Sequence, residues 1–228
     1  MLLDVFERSP LPPVMRLLIT IIVACSVLAV EAADTELPVY IPDVEKAEGL
    51  ELQGETWTHV DEFFSIYLRE LDREERLKYI LGATGLRIDP YRAPPGKIPR
   101  FMSFLVLIEN RSETAVGFNA LDCWLKTNRE KIATPLGLTD LAFEYHVAGV
   151  ELPPAYERIS PVMLEGARTI IPGDRLSGLL VYRQVEPKTK RFHVDVDLIP
   201  PSGEVIRFRA PYRREITEDR KKKRDKKP

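Results

Sequence analysis

The chain has 228 residues, 44% of them hydrophobic and 30% charged, and a formal net charge of −2. This is an ordinary globular composition, long enough for one domain with additions or for two small ones. It leaves no whole-molecule charge by which to grip nucleic acid, but the charge is uneven. Residues 34–81 hold thirteen acids against five bases, a net of −8, and residues 213–228 hold nine bases against four acids, a net of +5. The pattern is an acidic N-terminal region, a neutral body and a basic tail.

The first element is apolar. Leu17 to Ala29 read LLITIIVACSVLA, thirteen residues without a charge. A membrane span needs about 20 residues, whereas a signal-peptide core needs about 7–15. Arg16 supplies the positive flank, and Val30 and Ala32 place small residues before a cleavage point at Ala33. Residues 1–14, with Asp4, Glu7 and three prolines, make a poor leading region, so Met15 reads as the true start. Two other readings stay open. Ile22-Val23-Ala24-Cys25 resembles a lipobox, which would lipidate Cys25, and the run could also stay uncleaved as an anchor. After cleavage Cys123 would be the one remaining thiol, with no internal disulfide; a β-domain of about 115 residues buries enough surface without one.

Residues 33–57 read as an acidic linker, interrupted by Pro38, Pro42, Gly49 and Gly54. Val60, Phe63, Phe64, Tyr67, Leu68 and Leu71 then recur at spacings of three and four, predicting a helix over 59–71. Asp72 and Glu75 form a capping-box pattern for a second helix over 73–81, with Gly82 as its C-terminal cap. The two make a short αα-hairpin, and a Pro-rich connection ends this region at 97. From 98 the period becomes two. Met102, Phe104, Val106 and Ile108 share one face, and Leu105 and Leu107 make the other face apolar, as in a central strand ending at Asn110-Arg111-Ser112. Further strands are expected near 115–119, 121–127, 162–165, 168–171, 175–183, 191–199 and 204–210.

The last two strands can be paired from their pattern. Val196 opposite Phe208 and Leu198 opposite Ile206 match apolar to apolar, and the same register sets Asp197 against Arg207 and Asp195 against Arg209. It leaves Pro201-Ser202-Gly203 as the loop, with glycine in a left-handed position. Residues 98–213 thus form the body, a mainly β, immunoglobulin-like β-sandwich, and 214–228 a basic disordered tail.

Three runs resemble a known class: Phe104 to Ser112, then Phe118-Asn119, then Ile170-Ile171-Pro172-Gly173-Asp174 leading into Ser177 to Tyr182. These are similar to small extracytoplasmic bacterial immunoglobulin-like domains, over about residues 100–212. That resemblance implies a fold and a compartment, and no reaction.

No motif in the chain points to catalysis. The three histidines, His59, His146 and His193, have no metal-ligand spacing, and no paired cysteines occur. His193, Asp195 and Asp197 share a strand face that could ligate a metal; the competing reading is a solvated face paired to arginines. No Gly-x-Ser-x-Gly and no phosphate-cradling glycine loop is present. Cys123 beside Trp124 in an apolar strand reads as a buried, inert thiol. Asn110-Arg111-Ser112 reads as a turn. The segment 134–157 is long for a sandwich connection and rich in apolar groups. Phe143, Tyr145 and Tyr156 within it are the candidate binding residues, and the alternative is a lid over one open end. The basic run Arg220 to Lys227 could touch anionic membrane or polymer.

The expectation is a non-enzymatic, exported envelope protein, periplasmic or anchored at Cys25, that binds or scaffolds an envelope protein and not nucleic acid. The alternative is a binder of a small ligand or polymer using 134–157. No cofactor and no metal is expected.

Overall fold

The computed structural model describes residues 38–91 and 101–215. The apolar run expected to be an export signal, the prolines of 92–100 and the basic run of the tail lie outside them. The described elements are β1 (Tyr40–Pro42), β2 (Glu51–Gln53), β3 (Thr56–Val60), β4 (Phe64–Leu71), α1 (Arg73–Thr84), β5 (Phe101–Asn110), β6 (Val116–Asn119), β7 (Leu125–Thr127), β8 (Ile132–Ala133), α2 (Leu138–Val147), β9 (Ala167–Ile170), β10 (Arg175–Arg183), β11 (Arg191–Ile199) and β12 (Ile206–Arg214).

The strands form two antiparallel sheets. A seven-stranded sheet runs β1-β12-β11-β6-β9, with the β7-β8 hairpin also on β11, and a five-stranded sheet runs β10-β5-β4-β3-β2. Their facing sides share one core, in which Phe64, Ile66, Leu68, Phe104, Val106 and Ile108 meet Phe192, Val194, Val196, Leu198 and Tyr212. The contact is aromatic at one end: Phe104 meets both Phe192 and Tyr212 edge-on, and Phe192 stacks on Tyr212 at 5.1 Å.

A second core lies on the other side of the five-stranded sheet. Leu71, Phe101, Leu179 and Val181 project there and are covered by Ile80 of α1, Leu141 and Tyr145 of α2, and Ile159 and Val162 of a 3-10 turn over 156–162. The edge of β10 is closed by the same layer: Leu136 N–H donates to the Val181 carbonyl at 2.7 Å and Leu164 N–H to that of Leu179 at 3.0 Å. Gly178 permits this approach. A Cβ there would stand 2.8 Å from Leu164 Cγ and 3.0 Å from the Val162 carbonyl.

The hairpin of β11 and β12 has the expected register, with Val196 opposite Phe208, Leu198 opposite Ile206, Asp197 opposite Arg207 and Asp195 opposite Arg209. Its connection is longer than the three residues expected, because the ladder stops at Leu198–Ile206. Gly203 takes the left-handed φ of +79°, and its N–H donates to the Pro200 carbonyl at 2.9 Å.

Residues 59–71 are not a helix, so the αα-hairpin is corrected to one helix. Phe64–Leu71 is a strand hydrogen-bonded on both sides, to β3 and to β5. Apolar residues on both of its faces imitate helical spacing, because one face meets the inter-sheet core and the other meets the second. The expected second helix exists and its capping box forms, Glu75 N–H donating to Asp72 Oδ1 at 2.9 Å and Asp72 N–H to Glu75 Oε2 at 3.1 Å. It runs past Gly82 to Gly85, whose φ of +71° ends it. Residues 33–57 were expected to be a linker, yet 40–42, 51–53 and the start of β3 pair into the sheets. The strand expected at 162–165 is the end of the 3-10 turn plus a single parallel bridge from Met163 to Leu179. Residues 120–122 are a 3-10 turn ahead of β7.

Candidate functional site

The segment singled out from its apolar content forms α2 and the turns around it. Acids hold the helix start: Asp140 accepts from Gly137 N–H at 2.9 Å, and Glu165 accepts from Leu138 N–H. Both place negative charge at the positive end of the helix. Leu141 and Tyr145, one turn apart, are buried against the five-stranded sheet, and Tyr145 Oη donates to the Pro90 carbonyl at 2.7 Å. Glu144 beside them is paired with Arg183 of β10.

The three candidate residues therefore part company. Tyr145 is 2% exposed, part of the second core and of the covering layer. Tyr156 is half-buried at the start of the 3-10 turn. Phe143 is 62% exposed, and Val147, four residues on, is 67% exposed. On a helix this spacing puts both on one face, so a fixed helix carries an apolar pair outward. Val147 is not among the residues singled out from the sequence, because it is not aromatic; only the helix α2 pairs it with Phe143.

The face carrying His193, Asp195 and Asp197 is an ion-pair lattice. Arg209 grips Asp195 through Nε and Nη2 at 2.9 and 3.2 Å, and Arg207 grips Asp197 at 2.8 and 2.6 Å. Lys126 Nζ stands 3.7 Å from Asp195, and the Trp124 ring lies under both Lys126 and Arg207. The pairing to arginine is as expected, but the face is not solvated at the level of the acids: Asp195 is fully buried and Asp197 nearly so. Burial draws the His193 imidazole below its ordinary value, opposed by Asp195 and helped by Arg209, Lys126 and Arg207. No group of three or more metal-ligating side chains occurs among the described residues.

Cys123 is a free, fully buried cysteine whose thiol burial pushes up to about 12. Asn110 is likewise buried. Its Nδ2 donates to the carbonyls of Thr114 and Ile170, both at 2.8 Å, and its Oδ1 accepts from Ser112 N–H and Oγ. It ties the β5–β6 turn to β9, as the turn reading of Asn110-Arg111-Ser112 requires.

Two arrangements had no warning in the sequence reading. In the β3–β4 turn, Asp61 Oδ1 accepts from the N–H groups of Phe63 and Phe64, and its Oδ2 meets His59 Nε2 at 2.8 Å. His59 Nδ1 lies 2.8 Å from the Gly49 carbonyl, so both ring nitrogens face acceptors. Partial burial draws this imidazole down, but the Asp61 hydrogen bond, the Gly49 carbonyl and the Asp61 charge together hold it above its ordinary value. A cleft of about 390 Å³ opens here between residues 49 and 60. The second arrangement is Glu70, which shares the inward parity of Phe64, Ile66 and Leu68 opposite Phe104. Burial raises its carboxyl to about 8.

No family model matches the sequence, and no curated protein is similar to it. Among solved structures, the yjhA protein from Bacillus subtilis is similar over 74% of this chain and 88% of its own, at 12% identity and a TM-score of 0.35. A FixG-related protein from Vibrio parahaemolyticus is similar over 69% of this chain and 100% of its own, at 9% identity and a TM-score of 0.34. Likenesses this distant decide neither a fold family nor an activity.

Proposed function

We propose that this is an exported cell-envelope protein of non-enzymatic type, in which an immunoglobulin-like sandwich holds a surface for another protein. The observation that carries the reading is the rigid display of Phe143 and Val147. Their helix is fixed by a buried leucine, a buried tyrosine and an ion pair to the sheet, so presenting the two side chains costs little ordering on binding. Aromatic anchors on such platforms concentrate binding energy, with key ones worth about 2 kcal/mol or more. The thirteen-residue apolar run at 17–29 supports the export part of the reading. The small-ligand alternative gains less support, because 134–157 forms a covering layer and its one strongly exposed aromatic points outward.

The test replaces Phe143 and Val147 with Ser in the full chain and measures thermal stability and capture of envelope proteins side by side. Partners retained by the wild type and lost from the variant at unchanged Tm would support the assignment. Equal capture by both would move the surface elsewhere. Export is tested separately, by sequencing the N-terminus of the protein from the envelope fraction: Ala33 is expected, and a modified Cys25 would make it a lipoprotein.

A further inference from the structure

The outer face of the seven-stranded sheet lies on the side of the protein away from α2. β12 contributes Arg207, Arg209 and Arg213 to it, β11 contributes Arg191, and β7 contributes Lys126. The acids of this face are sunk. Asp195 and Asp197 lie under Arg207, Arg209 and Lys126, and the buried Asp43 lies under Arg191 at 2.9 Å and Arg213 at 3.8 Å. The cations are 25–51% exposed while the three carboxylates are 6% exposed or less. Five cations over three acids, with the acids underneath, present positive charge to solvent. Each buried acid also fixes a guanidinium in place, leaving outward N–H groups free to meet phosphate in the paired geometry that arginine favours.

Exposed aliphatic side chains stand around these cations. Ile132 is paired directly with Lys126 and so shares its face. Ile199 follows Asp195 and Asp197 at the same parity, and Val205 directly precedes β12. Leu121 supplies the carbonyl that takes Trp124 Nε1–H at 3.0 Å. All four are exposed by 38% or more. We infer that this face docks on an anionic phospholipid surface, with the five cations at headgroup phosphates and the four aliphatic side chains entering the interfacial layer.

Two features select lipid over a soluble polyanion. The side chains at the rim are aliphatic, which suits an acyl boundary and offers nothing for a base or sugar ring to stack on. The Trp124 indole on this face is already covered by Lys126 and Arg207. β12, which carries three of the cations, continues in sequence toward the run Arg220 to Lys227, which would add to the pull of any polyanion and is told apart from the face by the experiment. Glu48, whose charge reaches Arg209, works against that pull.

The experiment measures partition of the full chain into vesicles of phosphatidylcholine alone and of phosphatidylcholine with roughly one-third phosphatidylglycerol. The ratio of the two is the readout, since the apolar run at 17–29 enters both. The ratio should exceed about tenfold and collapse at high salt, where exposed charges are screened. Lys126→Gln with Arg213→Gln should bring it down toward one, by up to about fivefold for each cation removed. Ile132→Ser with Val205→Ser, both well exposed and safe for folding, should also lower binding to the anionic vesicles. A ratio near one overturns the inference. So does a ratio abolished by neutralising Lys221, Lys222 and Lys223 but unmoved by the changes on the face, which would leave the tail alone responsible. If double-stranded DNA is bound as tightly as the anionic vesicles, and the aliphatic changes alter neither, the face reads charge only and the lipid assignment falls.

Discussion

The outer faces of the two sheets are opposites. On the seven-stranded sheet, β11 and β12 alternate over most of their length, and the outward Asp195 and Asp197 are locked to Arg209 and Arg207 in ion pairs. On the five-stranded sheet, β5 and β10 are apolar at both parities, and their outward residues Phe101, Leu179 and Val181 lie under α1, α2 and the 156–162 turn. A strand that alternates can end a protein at its own side chains. A strand that does not must be given a further layer. The segment 134–157 is thus accounted for by its neighbours: it covers a face that could not face water. The comparison also divides the roles of its aromatic residues, since Tyr145 belongs to the cover and Phe143 to what the cover presents.

Glu70 tests the comparison in the space between the sheets, where neither rule allows a lone carboxylate. Its folded value of about 8 stands above the ordinary 4.5. Below about pH 4.5 the folded and unfolded chains both hold the proton and the group costs nothing. As pH rises toward 8 only the unfolded chain releases it, so stability is progressively lost across that window. At about 1.4 kcal/mol per pH unit, the loss reaches on the order of 4 kcal/mol by pH 8. Glu70→Gln should therefore stabilise the protein by up to that amount at pH 8 and by little at pH 4.5. Denaturant melts at the two pH values check it, and a variant without a pH-dependent gain would mean that the carboxylate is solvated or paired.

The covered face should be the costlier of the two outer faces to damage. Leu141 is fully buried, and Leu141→Ala should destabilise by about 3 kcal/mol through lost transfer energy and a residual cavity. Phe143→Ala, two residues away, should change stability by less than about 0.5 kcal/mol. Equal costs at the two positions would mean that α2 is not seated as described. On the charged face, Asp197→Asn should cost about 1–2 kcal/mol. An exposed pair is worth about 0–1 kcal/mol, and burial of this acid beneath Arg207 raises that, while the half-exposed guanidinium limits it. A double-mutant cycle with Arg207→Gln isolates the pair.

The same contrast explains what could be read from sequence. Alternation in β11 and β12 carries two independent signals, apolar and ionic, that agree on one register, and the folded hairpin has that register. In β4 both faces are buried, so Phe64, Ile66, Leu68, Tyr67 and Leu71 fit a period of three to four as well as a period of two. The deciding fact, backbone pairing to both β3 and β5, is not a property of the segment itself. Glu70 was invisible for the same reason, since only a strand assignment puts it on the inward parity of Leu68. In the segment 134–157, aromatic content could not sort Tyr145 from Phe143. That sorting depends on which side of α2 meets the sheet.

The smallest effect concerns the turn that displays Phe63, a half-exposed aromatic at the β3–β4 corner. His59 faces an acceptor at each ring nitrogen, an arrangement best met by the imidazolium, and its folded value lies above the ordinary 6.5. A histidine raised in this way contributes stability that is fully present below pH 6.5 and is lost as pH rises through the folded value. Asp61 is the counterpart. Burial pulls its carboxyl up, but His59 and the two N–H groups of Phe64 and Phe63 outweigh this and hold it below its ordinary range, so its own contribution is lost only in acid. Between those limits the turn is pinned from both sides. The His59 site is largely open to water, so its global contribution is small and the effect is sought locally. Amide exchange at Phe63 and Phe64, corrected for intrinsic pH dependence, should show protection that falls as pH rises above 6.5. In His59→Gln that fall should vanish, because Gln keeps a donor for Asp61 but cannot titrate. Protection that falls equally in the variant would assign the change to some other group and leave His59 a neutral strut.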